Sequence, residues 1–421
     1  ARLMRLLDCN DASLRLWNDG DALWSPGVVW LSGDRYQFGQ PAWEQARRAP
    51  REISNRYWHR LSTQPLSPAL GPARHTADLV HAHLEALLDG KSGDITLAIP
   101  GAMESGQLSL LLGILQTLPV TACGVVHRSA LVGAATGQSC AHVELQLHQA
   151  SITAVTVDNG VARAGETQLL PGHGLLGLMD DIAERIGEQF VTQTRFEPQR
   201  RAETEQALYL QLPDLLRSLG TQTEVSCSVE GHTARIAADA LRPVGTAFTQ
   251  ALTPLLPEGT THIALDALLS AVPGLDLPVQ VTAAGPEVIP LIATTLAPSA
   301  GELHFQREAP CGSAASPRQA PTESQSRAAA STQAHIEQES LEMSQAPSFA
   351  THSLTGGHAV PLSPGKHITY GVSARESGVI DIAPGTPAEL NDQPVARRVA
   401  VNAGDRLFVG GVEVRFITVE P

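Results

Sequence analysis

Apolar positions along this chain switch repeatedly between the two-residue period of strands and the three-to-four-residue period of helices. LMRLLD (3–8) and LRLWND (14–19) predict two strands around the polar turn Cys9-Asn10-Asp11-Ala12-Ser13. VVWLSG (28–33) and RYQFG (35–39) predict a hairpin turning at Gly33-Asp34, and AWEQARR within 41–61 a short helix broken at Pro50. Then come a helix over 76–89 with Thr76 as its N-cap, a strand over 95–100, a buried helix over 104–118, a strand over 120–126 and a helix over 128–136. A second cycle opens with HVELQL (142–147) and ITAVTVDNG (152–160), continues through VARAGETQLLPG, and enters helices over 174–193 and 200–218. TEVSCSVEG (223–231) and HTARIA (232–237) predict a hairpin across Gly231. A helix over 239–256 capped by Asp239, strands at 262–266 and 278–282, and a helix over 286–297 complete the cycle. Two hairpin-led halves, each followed by strand–helix units, predict an internally duplicated α/β architecture.

The pattern stops at 308–350, where Ala, Ser, Pro, Gln and Glu dominate and large apolar residues almost vanish. Such a segment cannot bury enough surface to offset chain entropy, which predicts a disordered linker over 306–350. It separates a module at 1–305 from one at 351–421. In the latter, short strands (HAVPL, HITYGVS, GVIDIA, RRVAV, RLFVG, VEVRFITV) alternate with turns at Pro364-Gly365, Pro384-Gly385, Asn391-Asp392, Ala403-Gly404-Asp405 and Gly410-Gly411, predicting a small all-β sandwich.

Composition narrows the partners. With 421 residues the chain exceeds one core. Its formal net charge of −14 repels phosphate backbones, so no nucleic-acid partner is expected; Arg47, Arg48 and Arg51 read as a solvated helix face. The apolar run 108–120 is too short to span a bilayer, so no direct membrane insertion is expected. The five cysteines are scattered without CxxC spacing, which points to a cytoplasmic setting and to neither zinc nor dithiol chemistry. His81 and His83, two apart on a helix, face different ways and make poor metal partners. Asp180, Asp181 and Glu184 read as an acidic helix face, and Gly172-His173-Gly174 as a turn rather than an anion site.

The segment ITLAIPGAMESGQLSLLLGILQTLPVTACGVVHRSALVGAATG (95–137), with the element order over about 1–300, resembles the ATPase domain of the seventy-kilodalton heat-shock chaperones and, more widely, the actin and sugar-kinase superfamily. The resemblance implies a duplicated actin-like nucleotide-binding fold. In that family Gly-rich turns cradle ATP phosphates through backbone N–H groups, and carboxylates beside them hold Mg²⁺. Asp8 matches the family aspartate ending the first strand. The glycine of its turn is absent, and Asn10 and Asp11 stand there, Asp11 adding negative charge where phosphate would lie. The second turn is Gln146-Leu147-His148-Gln149-Ala150-Ser151 where the family has Asp-Leu-Gly-Gly-Gly-Thr. The family's catalytic glutamate falls near His127 or Arg128, its adenosine turn at Asp266-Ala267-Leu268, and its phosphate-side lysine in a stretch offering only Arg56 and Arg60. The expectation is a pseudo-ATPase with no cofactor, in which Asp8, Asn10, Asp11, Gln146, His148, Gln149 and Asp266 are degenerate nucleotide-site positions and no residue is catalytic. The alternative is a divergent ATPase binding ATP and Mg²⁺ through Asp8.

The ending LNDQPVARRVAVNAGDRLFVGGVEVRFITV resembles the last strands of forkhead-associated domains. That family's Gly-Arg pair aligns near Tyr370-Gly371 without the arginine, and its Ser-Arg-x-x-His loop is missing. Arg375, Arg397 and Arg398 read as solvated surface. The combined expectation is a scaffold that binds protein partners, including a membrane-associated assembly, through an actin-like domain and a tethered β-module.

Overall fold

The computed structural model describes residues 5–18, 21–296, 302–311, 349–355, 358–369, 371–383, 386–395, 398–409 and 412–419. The linker expectation over 312–348, the Pro384-Gly385 and Gly410-Gly411 turns, Tyr370 and Arg397 lie outside them. The structure is mixed α/β and divides into two compact units, Ala1–Ser316 and Pro317–Pro421.

In the first unit, β1 (Arg5–Asp8), β2 (Arg15–Asn18), β3 (Asp21–Trp24), β4 (Gly93–Ile99) and β5 (Val120–His127) form one sheet in the order β3-β2-β1-β4-β5. A second sheet is built from β6 (Cys140–Leu145), β7 (Gln149–Asp158), β8 (Val161–Pro171), β9 (His262–Asp266) and β10 (Gln280–Ala284), in the order β8-β7-β6-β9-β10. Both sheets share one pattern: the first three strands in sequence are antiparallel and the last two add in parallel. The sixth strands differ. β11 (Phe305–Gln306) runs parallel to β5, and two residues later β12 (Glu308–Pro310) pairs antiparallel with β8. The boundary expected at 305 therefore falls short, because residues 305–310 bridge the two sheets of the first unit.

A helix packs in the core between the sheets, alongside the short helix Val288–Ala293. α1 (Arg128–Thr136) is capped by His127, whose Nδ1 accepts from Ser129 N at 3.0 Å, and ends at Gly137 in the left-handed region. Its residues Arg128–Ala134 are all buried. Leu6, Ala98 and Val126 of the first sheet and Val155, Ala162 and Ala264 of the second share a core with its Ala130, Leu131 and Ala134. Gly133 makes that packing possible, since a Cβ there would lie 2.4 Å from Val155. The second sheet's other face is covered by α2 (Leu175–Thr194), α3 (Ala202–Leu219) and α4 (Ala238–Leu252), each amphipathic and buried along one stripe.

Several boundaries differ from the pattern. His75, not Thr76, holds the N-cap position of the 76–88 helix, and Asp239 lies in the first turn of α4, one residue inside it. The helix expected within 41–61 is only Gln40–Trp43, and the one expected over 286–297 is Val288–Ala293. Arg47 is not a solvated charge: it pairs with Asp180 and lies 3.8 Å over the Tyr209 ring.

The second unit has a six-stranded and a four-stranded antiparallel sheet around one apolar cluster that includes Val372, Ile380, Leu407, Val414 and Phe416. Asp381 accepts from both Arg375 (3.4 Å) and Arg398 (3.1 Å), so these arginines are paired rather than free. No described helix is long and apolar enough to cross a membrane.

Candidate functional site

β1 and β6 occupy equivalent central positions in their sheets, and the turns that follow them face each other. Asp8 ends β1, Glu144 is the penultimate residue of β6, and Arg128 opens α1. Their side chains meet. Arg128 Nε and Nη2 donate to the two carboxylate oxygens of Asp8 at 2.7 and 3.0 Å, and Nη1 donates to Glu144 Oε2 at 2.5 Å. Nη2 also reaches Ser13 Oγ at 3.2 Å. The side chains of Arg128, Asp8 and Glu144 are only 7%, 0% and 1% exposed. One guanidinium thus saturates its fork against two carboxylates, the geometry in which arginine pairs most strongly.

Burial would strip Arg128 of its proton, but Asp8 and Glu144 more than offset this and hold it firmly charged. Burial likewise would push Glu144 up; Arg128, aided by His142, instead holds it below the usual carboxylate range.

The other predicted positions surround this triad. Asn10 closes its own turn by accepting from Ala12 N at 3.0 Å and donates across to Leu145 O at 3.0 Å. Asp11 crosses in the same direction, accepting from Leu147 N at 2.9 Å. Its carboxyl is pushed up to about 6, burial being the main cause and the bond from Leu147 opposing it. Gln146 donates to Ser151 Oγ at 3.0 Å, while its buried Oε1 has no hydrogen-bond partner among the described residues; the residue also lines a cavity of about 30 Å³. The backbone of Gln149 closes the turn, its carbonyl accepting from Gln146 N at 2.8 Å. His148 points away toward Asn55 O (2.8 Å) and the His59 ring. Asp266 caps the short helix Ala267–Ser270 by accepting from Leu268 N and Leu269 N at 2.9 and 3.2 Å. Asp8, Asn10, Asp11 and Gln146 are therefore brought together, whereas His148 reaches across to Asn55 and Asp266 caps a helix start within electrostatic reach of Arg128 and Glu144.

Several of the amides that the resemblance would aim at phosphate are already engaged. Cys9 N donates to Ala98 O, Ser13 N to Asn10 O, and Leu147 N to Asp11. The start of α2 is engaged as well: Leu175 N and Leu176 N donate to Gln146 O and Leu147 O. Gly174 packs on that bend so closely that a Cβ would lie 2.4 Å from Gln149 N. Gly172-His173-Gly174 is a packing turn, as its sequence predicts.

Sequence reasoning names Arg128 only as a position near the family's missing glutamate, and leaves out Glu144 and the pairing between them. The available signal was a lone arginine entering an apolar helix and a glutamate inside the apolar strand HVELQL; neither shows which charge it meets. Among the described residues no group of three or more His, Cys, Asp or Glu is placed to hold a metal ion. Scanned against family models and against curated proteins, the chain matches none of them.

Proposed function

We propose that this chain is a non-enzymatic scaffold: a pseudo-ATPase of actin or heat-shock-chaperone type whose nucleotide cleft is closed by its own side chains, joined to a forkhead-associated-like β-module. The observation that carries the reading is the Arg128 guanidinium buried between Asp8 and Glu144. The shared strand order of the two sheets supports the fold assignment.

Where the resemblance would put Mg²⁺ and phosphate, the residues present do not fit them. The two central carboxylates already have a cation, and the amides of Cys9, Ser13, Leu147, Leu175 and Leu176 already have acceptors. Breaking a buried ion pair by removing one partner costs about 3–5 kcal/mol, or about two to three and a half orders of magnitude in affinity. A micromolar nucleotide site would fall to roughly 0.1 mM or weaker. The same bonds that exclude nucleotide tie the turn after β1 to the turn after β6, so the sheets are held together without a switchable ligand. A fixed lobe pair suits constant recognition of a protein partner, and a tethered second module raises effective concentration at a shared assembly, such as one at the inner face of a membrane.

Isothermal titration of the full chain with Mg-ATP tests the reading. No heat of binding is expected at tens of micromolar protein, and a dissociation constant in the micromolar range overturns the proposal. Affinity capture with the full chain and with a fragment ending at residue 316 then assigns partners to the large unit or to the terminal module.

A further inference from the structure

A cavity of about 370 Å³ lies beside the start of α1, where the bridging segment 305–310 passes between the sheets. It is lined by Met103, His127, Glu166, Thr167, Phe305 and Arg307, with the backbone of Gly101 at its floor. Its size is that of a small-molecule pocket.

Its polar groups are set for a ligand. His127 is 2% exposed, and among the described residues its one hydrogen bond is at Nδ1, which accepts from Ser129 N. That bond places the ring proton on Nε2. Nε2 is turned toward the cavity floor, 3.1 Å from where a Cβ on Gly101 would lie. Burial, the main influence, lowers His127 to about 4, so at neutral pH the ring is an uncharged N–H donor. Arg307 stacks its guanidinium 5.3 Å from the Phe305 ring, and Glu166 lies on the facing strand β8. Among the described residues the side chains of Arg307 and Glu166 have no ion pair or hydrogen bond, although both belong to the same lining. The Thr153 and Thr167 hydroxyls beside them are satisfied by each other at 2.8 Å.

We propose that this pocket binds a small zwitterion of amino-acid size, its carboxylate taken by Arg307 and the His127 Nε2–H, its ammonium by Glu166, and its apolar side chain by Met103 and Phe305. One cation and one carboxylate, neither paired, balance a zwitterion; they do not balance a triphosphate. Gly101 is required at the floor because a side chain there would meet the Thr167 hydroxyl at 2.2 Å.

The test uses the full chain, thermal-shift and calorimetric titration, and four probes: free leucine or methionine, their N-acetyl derivatives, their amides, and inorganic phosphate. Free amino acid is expected to raise the melting temperature and bind measurably. The acetylated and amidated forms, each lacking one charge, are expected to bind at least about tenfold more weakly, as loss of a charge-assisted contact implies. Arg307→Ala and Glu166→Gln change exposed side chains, so both variants should keep the unliganded melting temperature while losing at least about tenfold in affinity. No shift with any probe overturns the proposal, as does binding that survives in both variants. Inorganic phosphate or an N-acetyl form binding as tightly as the free amino acid overturns it too, since either marks a simple anion site.

Discussion

Arg128 grips both carboxylate oxygens of Asp8, its Nε 2.7 Å from Oδ1 and its Nη2 3.0 Å from Oδ2. The two residues are 120 positions apart, one ending a strand and the other starting the helix between the sheets. The pair is the first half of a bridge completed by Glu144, and its worth can be measured by removing the shared cation. Arg128→Ala leaves two carboxylates buried without a counter-charge, and a loss of about 3–5 kcal/mol is expected. The triple variant Arg128→Met with Asp8→Asn and Glu144→Gln removes all three charges and should recover most of that loss. Urea unfolding of the three proteins makes the comparison; a triple variant less stable than Arg128→Ala would show that the triad is not the electrostatic unit described.

The parts of this fold that the sequence made legible are those whose signal is local. The strand at 262–266 and the helix at 128–136 were predicted at their observed bounds, because an apolar run between breakers and a helix closed by Gly137 are written in adjacent residues. The crossing strands at 305–310 were not, because two or three residues carry no periodicity and are strands only through partners at Val125 and Arg163. AWEQARR has helical spacing and predicts a short helix, but the helix stops at Trp43 because Arg47 N is drawn out to Gln206 Oε1 at 2.8 Å. At the site, absent glycines could be read directly from the turns. The replacement cation could not, since nothing near Arg128 in sequence names Asp8 or Glu144.

Buried histidines set a pH dependence with a definite sign. His83 accepts from Tyr57 Oη (2.9 Å) and Trp58 Nε1 (3.0 Å) through Nδ1, and its Nε2–H donates to Ser25 Oγ at 2.7 Å. Burial lowers it to about 3, and it is the main cause lowering His127, His142 and His148 to about 4. Each lies below the unfolded value of about 6.5, so between pH 6.5 and 4 the unfolded chain binds more protons and stability falls as pH falls. Asp11 acts oppositely: raised to about 6, its contribution is full below about pH 4 and fades as pH rises through 6. Asp266 and Asp181, also raised by burial, act in the same direction as Asp11, but the four histidines outweigh them, so unfolding free energy should drop from pH 7 to pH 5. Asp11→Asn should steepen that drop, and His83→Gln should make it shallower by nearly one proton. Urea midpoints at half-unit pH steps read all three slopes, and a flat profile would contradict the neutral, buried state of these rings.

Gly172 and Gly174 separate two reasons for a glycine. Gly172 sits at φ 75° with nothing among the described residues within 4 Å of a Cβ, so alanine there meets backbone strain, about 1–2 kcal/mol. Gly174 has φ −90° and ψ −176°, which any residue adopts, but its Cβ would lie 2.5 Å from Leu147 O and His148 C. Gly174→Ala must therefore push α2 away from the bend after β6, with an overpacking penalty of about 1–3 kcal/mol and loss of the Leu175 and Leu176 amide bonds besides. Gly174→Ala is expected to be the more damaging change in chemical denaturation. An equal or smaller effect than Gly172→Ala would mean that the helix start does not rest on the bend.

The terminal unit should fold when cut free. Its apolar cluster is drawn entirely from residues 350–416, and Asp381, Arg375 and Arg398 are paired within it. A domain of this size buries only about 60% of its unfolded surface and is held by few kcal/mol, so the expected behaviour is a modest but cooperative transition. A fragment of residues 349–421 should give a strand-type circular dichroism spectrum and a sigmoidal melt, and Asp381→Ala, which frees two arginines on the four-stranded sheet, should change the midpoint only slightly because the group is exposed and screened. A gradual melt of the isolated fragment would show that this β-module depends on residues outside 349–421 for its fold, and the tethered-module part of the proposed function would have to be abandoned with it.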